Sequence, residues 1–150
     1  MMQTAVQLAM AFAGAFGFAM LFNLSGSKLW VSALGGAFCW GVYLLAGARG
    51  ISDFVACLFA ALAAGLGAQI MARVMKAPTT VFYVPMVVPL VPGRTLYYTM
   101  FSVLQKDPEA VRSYAYQTTY FCLAIAMGLG LAITFAHICR SAGRKIRKRA

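Results

Sequence analysis

Four stretches of this chain, residues 4–22, 29–48, 54–72 and 116–138, run without a single Asp, Glu, Lys or Arg. No other feature narrows the fold as much. A nineteen-residue helix at about 1.5 Å per residue is roughly 28 Å long, close to the roughly 30 Å hydrocarbon core of a bilayer. Inside that core a backbone must satisfy its own hydrogen bonds, so such runs are read as transmembrane helices. Composition agrees: 62% of residues are apolar and 11% are charged, where a soluble domain carries about a quarter charged. So much apolar surface exceeds what a small water-soluble core can bury.

The boundaries of the runs carry turn and cap chemistry. Asn23, Ser25, Gly26, Ser27 and Lys28 end the first, and Arg49 and Gly50 end the second. Asp53, following Ser52, suits the N-terminus of a third helix, where a carboxylate opposes the helix dipole. Arg73 ends that helix. The first run lacks the basic residues that precede a cleaved signal sequence, so it reads as a retained helix.

The net charge is +10, but the basic residues are not arranged as a nucleic-acid footprint. Arg140, Arg144, Lys145, Arg147, Lys148 and Arg149 crowd the end of the chain, directly after the last apolar run. That arrangement predicts a transmembrane domain over residues 1–139 and a basic cytoplasmic tail over 140–150, facing anionic lipid. No nucleic-acid partner is expected. Cys39, Cys57, Cys122 and Cys139 lie within or at the ends of apolar runs without a CxxC pair, which argues against a metal site or a disulfide framework.

The segment between the third and last runs is different. It reads APTTVFYVPMVVPLVPGRTLYYTMFSVL over residues 77–104, apolar enough for the membrane yet holding Pro78, Pro85, Pro89, Pro92 and then Gly93. An interior proline removes a backbone donor and kinks a helix. Two readings follow: one transmembrane helix broken near Pro92-Gly93, giving five spans, or a re-entrant hairpin beside four spans. With five spans, Lys28, Arg73, Lys76 and the tail fall on the cytoplasmic side, and Arg49, Lys106 and Arg112 fall outside with Asp53, Asp107 and Glu109. This is a positive-inside distribution with the N-terminus outside. The hairpin alternative puts the N-terminus inside and fits the charges slightly less well.

Functionally, no paired carboxylate, Ser/His/Asp set or metal-ligand cluster stands out, so neither an enzyme nor a cofactor is expected. The break is the natural site. Its prolines free the carbonyls of Val81, Pro85 and Val88 from their usual donors. The half-helix starting near Arg94 presents unpaired N–H groups and a positive dipole end, which suit a carboxylate. Discontinuous helices serve secondary transporters this way. Pro89, Pro92, Gly93, Arg94 and Tyr97 are the expected substrate-binding residues, with Tyr98 and Thr99 nearby; a merely kinked helix with Arg94 at the interface is the plain alternative. Small residues at four-residue spacing (Ala13/Gly17, Ala37/Gly41, Ala61/Gly65, Ala124/Gly128, Ala126/Gly130) predict close helix packing within a bundle or against a partner. Tyr114, Gln117, Thr118 and Thr119 make the start of the last span polar, as either an interfacial belt or the wall of a water-filled path. His137 is expected at the interface, and Gln69 is expected to bond a neighbouring helix.

The GFAMLFN segment at residues 17–23 and the pattern Pro78, Val81, Phe82, Pro89, Pro92, Gly93, Tyr97 resemble the small, YjjB-like subunit of the threonine/serine exporter (ThrE) family. The resemblance implies export of a small carboxylate-bearing metabolite across the bacterial inner membrane, threonine or serine or a dicarboxylate such as succinate, driven by the proton gradient. It also implies a larger YjjP-like membrane subunit as partner. A structural subunit that only stabilises that partner, and a homo-oligomer that transports by itself, are the competing expectations.

Overall fold

A computed structural model describes residues 2–147, with the side chains of Arg140 and of residues 142–147 left out. Of the predicted basic tail, Lys148 and Arg149 lie outside the described residues. The described chain is all α-helical: α1 (Met2–Leu21), α2 (Ser27–Ala48), α3 (Asp53–Val74), α4 (Thr79–Val87), a 3-10 turn at Val88–Leu90, α5 (Gly93–Leu104) and α6 (Pro108–Arg147). Four of these, α1, α2, α3 and the Pro108–Cys139 part of α6, are long and apolar enough to cross a membrane. The protein is an all-α, multi-pass membrane protein.

The helix ends follow from local chemistry. α1, α2, α3 and α5 all close with one residue at positive φ: Asn23, Gly50, Lys76 and Lys106. The next residue then bonds back five positions, Leu24 to the Ala19 carbonyl, Ile51 to Ala46, Ala77 to Ala72 and Asp107 to Ser102. This capping satisfies carbonyls that a helix end would otherwise leave open. α6 begins eight residues before the expected Tyr116, because Asp107 accepts from the Glu109 and Ala110 N–H groups at 3.2 and 3.1 Å and Pro108 takes the first helical position. The stretch 108–115 is therefore helix and not loop.

The interior is built from small side chains. Ala56, Ala60, Ala61, Ala64, Ala68 and Ala72 of α3 are buried, as are Ala124 and Ala132 of α6. Lipid is as apolar as leucine, so helix association there rests on close packing instead of on hydrophobic burial. The α3/α6 seam shows how close. A Cβ on Gly128 would stand 2.7 Å from both the Ala61 Cβ and the Leu58 carbonyl oxygen, and one on Gly65 would collide with Ala132. Two of the five predicted small-residue pairs, Ala61/Gly65 and Ala124/Gly128, thus form this seam. Gly17 and Gly130 have nothing within 4 Å. Phe38, Phe59, Leu34, Ile70, Leu131 and Phe135 point outward instead, where lipid is the solvent.

α4 occupies the centre, packed on α1, α2 and α3. Phe82 and Met86 are buried with Cys39, Ala64, Ala68 and Ala72. Gln69 bonds a neighbouring helix as expected, donating to the Tyr83 hydroxyl at 3.2 Å. Cys39 and Cys57 are buried, whereas Cys122 and Cys139 are exposed on α6; all four are free thiols.

The course of the chain separates the two topologies. α3 and α6 run in the same direction: Phe54 meets Tyr120 (ring centroids 4.7 Å apart), Ala61 meets Gly128 and Gly65 meets Ala132. Residues 79–104 must therefore carry the chain back from one end of the bundle to the other. They do: Tyr83 lies beside Gly65 and Gln69, Leu90 packs on Ala60 and Ala61, and Pro92 reaches the cavity lined by Cys57 and Asp53. A re-entrant hairpin would return to its starting end and leave α6 antiparallel to α3. The fourth crossing is thus a broken one, made of α4, the 3-10 turn and an extended link, with α5 continuing against the N-terminal part of α6.

Candidate functional site

The break is a sequence of short compromises. Pro85 sits inside α4, and Pro89 opens the 3-10 turn. Val91 is extended, and Pro92 caps α5 without any side-chain cap bond. The Val88 carbonyl is not left open as the proline pattern suggested, since the Val91 N–H bonds it at 3.1 Å. The 3-10 turn shifts the donor by one residue and recovers it. Beyond the break, the Pro92 carbonyl accepts from the Leu96 N–H and from the Thr95 hydroxyl, each at 3.1 Å. Thr118 of α6 donates to Thr95 Oγ1 at 3.0 Å, which pins the start of α5. Leu90 lies opposite Ala60 and Ala61, roughly 11 Å along α3 from its first residue, while Thr95 meets Thr118 near the level of the start of α3, so the break runs from within the bundle to its end.

At this place the helices part around a cavity of about 440 Å³. Its floor is Pro89, Leu90, Val91 and Cys57. Trp40 and Tyr43 of α2, with ring centroids 5.1 Å apart, form one aromatic wall. Tyr98 of α5 and Tyr114 of α6, stacked at 5.3 Å, form another. Gln117 and Phe121 of α6, Asp53 of α3, and Pro92, Gly93, Arg94 and Thr95 complete the lining.

The charged groups are few. The Arg94 guanidinium lies 5.7 Å from the centre of the Tyr98 ring, close enough for a cation–π contact that aims it. Asp53 is the only acidic residue on the cavity wall. Among the described residues neither it nor Arg94 forms an ion pair, and α3 starts without a side-chain cap bond. The indole N–H of Trp40 is buried and has no acceptor among the described residues. A second cavity, of about 550 Å³, shares Asp53, Gln117 and Phe121 with the first and adds Tyr116 and Tyr120. The described residues hold no cluster of three or more His, Cys, Asp or Glu that could bind a metal.

Of the five expected site residues, Pro89, Pro92, Gly93 and Arg94 line this cavity. Tyr97 does not: it is 63% exposed and stacks on Phe101. Tyr98 takes the inward position because α6 lies on its side of α5. The polar start of the last span divides similarly. Tyr114 and Gln117 face the cavity, Thr118 holds α5, and Thr119 is exposed and bonds its own backbone. Trp40, Tyr43 and Asp53 were not legible as site residues. Asp53 was readable only as a helix start, though a lone carboxylate among apolar spans is a signal in itself.

A bundle of membrane helices, one of them broken beside a partly polar cavity, defines the class of small-molecule membrane transporters. A family model described as Threonine/Serine exporter, ThrE, matches residues 7–135, nearly the whole chain, and the protein belongs to that family. Neither a curated protein nor a solved structure matches it.

Proposed function

We propose that this chain is the membrane subunit of a two-component exporter of small carboxylate-bearing metabolites, and that the cavity at the break receives the substrate. One observation carries this reading: Arg94 and the uncapped N-terminus of α5 open onto an aromatic-walled cavity of about 440 Å³. That volume lies within the roughly 300–1,000 Å³ common for small-molecule sites. The carboxylate would meet the guanidinium and the N–H groups that follow Gly93 in the first turn of α5, since the Gly93 N–H already bonds the Val91 carbonyl at 2.8 Å. Tyr98 and Tyr114 would cover its apolar part. The larger YjjP-like partner and proton-gradient drive are what the family resemblance implies.

The bacterial inner membrane is what the family resemblance implies, and the charge layout supports an orientation in it. Lys28, Arg73 and Lys76 lie at the ends of α2 and α3 nearest the α6 C-terminus, which the positive-inside tendency would keep cytoplasmic. The cavity then opens toward the outer side.

The test is export by Arg94→Gln. Membrane insertion is expected to be unchanged and export to fall by about tenfold or more, since one charge-assisted hydrogen bond contributes about 1.5–3 kcal/mol. A normally inserted variant with full export would remove Arg94 from the mechanism. Photo-crosslinking of substrate to the larger partner alone would favour a purely structural subunit.

A further inference from the structure

The cavity carries two opposite charges that do not meet. Arg94 enters from the first turn of α5 and Asp53 from the first residue of α3, and both line the same space. Among the described residues they form no ion pair. Asp53 and Arg94 are both exposed, so water weakens the attraction that opposite charges have for each other. Here each is held on a different helix. Arg94 is drawn over the Tyr98 ring, and Asp53 is tied to the α3 terminus beside Phe54, which packs on Tyr120. The cavity that both line is also bordered by Tyr43, Gln117 and Trp40.

We propose that Asp53 is the specificity residue of this site: it takes the ammonium group of an α-amino acid whose carboxylate is held at Arg94, and it repels dicarboxylates. The inference rests on the proposed role of the cavity and narrows it. An α-amino acid carries its two charges on one carbon, so it bridges a positive and a negative wall group and leaves neither uncompensated. A dicarboxylate of similar size satisfies Arg94 but sets a second anion toward Asp53, which costs like-charge repulsion. A small hydroxylated side chain finds an amide at Gln117. Placing Asp53 on the boundary of both cavities gives the ammonium its partner at the point where the two spaces join.

The test uses inverted membrane vesicles from cells making the full chain with its accompanying partner, and follows labelled threonine. In wild-type vesicles, unlabelled serine competes, while N-acetylthreonine, which lacks the ammonium, and succinate compete at least about tenfold more weakly. Asp53→Asn at equal membrane abundance loses about tenfold or more in threonine transport, and its discrimination against N-acetylthreonine and succinate collapses. Asp53→Glu keeps the order of preference. Threonine transport by Asp53→Asn with unchanged preference overturns the role of Asp53 while leaving the exporter reading intact. Wild-type vesicles that take up labelled succinate but no threonine overturn the role of Asp53 and keep the exporter reading, and vesicles that take up neither overturn both. Should Asp53→Asn fail to reach the membrane, the wild-type competition decides: N-acetylthreonine or succinate competing as well as serine sinks the proposal.

Discussion

Gly93 shows how a single residue works at the break. A Cβ there would meet nothing within 4 Å, and the residue starts α5 with ordinary helical backbone, so neither close packing nor a left-handed φ demands a glycine. What the missing side chain provides is an open cavity wall next to Arg94. Gly93→Ala is therefore expected to insert and export normally. Gly93→Leu is expected to insert normally and lose most export, because its side chain occupies cavity space. Comparing export with membrane abundance for the two variants checks this, and a fully active Gly93→Leu would contradict the geometry. Tyr97 and Tyr98 illustrate the other side of residue-scale reading. Both are tyrosines within one turn of Arg94, and sequence spacing alone does not separate them. Their roles diverge because α6 packs on one face of α5 only.

Among elements, the α3/α6 pair holds the architecture. It is built on Gly65 and Gly128 set into alanines, so the two backbones approach as closely as any in the molecule. Gly128→Leu would drive a side chain into Ala61 and the Leu58 carbonyl. Overpacking typically costs about 1–3 kcal/mol and here displaces a whole helix. Thermal unfolding of the purified protein in detergent should shift downward by several degrees or more, whereas the same change at Gly130, which faces open space, should be nearly silent. An equal effect at both positions would count against the seam. α4 is the opposite kind of element. It is short, interrupted by Pro85 and followed by a 3-10 turn, yet it packs on three other helices, since irregular backbone survives at membrane depth only where protein surrounds it. The prolines were plain in the sequence, and the recovery of the Val88 carbonyl by Val91 was not, because it depends on how the chain relaxes after each missing donor.

Across the whole molecule, the parallel course of α3 and α6 dictates five crossings. In a variant without native cysteines, a thiol placed at Lys106 should react with a membrane-impermeant maleimide from outside, and one at Lys76 only after permeabilisation. Labelling of both from one side would restore the hairpin topology. The sequence alone determined that the chain is helical and membrane-embedded, where its long spans lie and that residues 77–104 are interrupted, because hydropathy, charge and proline act locally along the chain, but not whether that segment crosses or returns. It left open which face of each helix turns inward. Tertiary structure alone decided that Asp53, Trp40, Tyr43, Tyr98 and Gln117 share a cavity with Arg94. That cavity joins four helices and the 3-10 turn, and their meeting depends on glycine seams that set helix spacing and direction, a long-range property that no local run of residues contains.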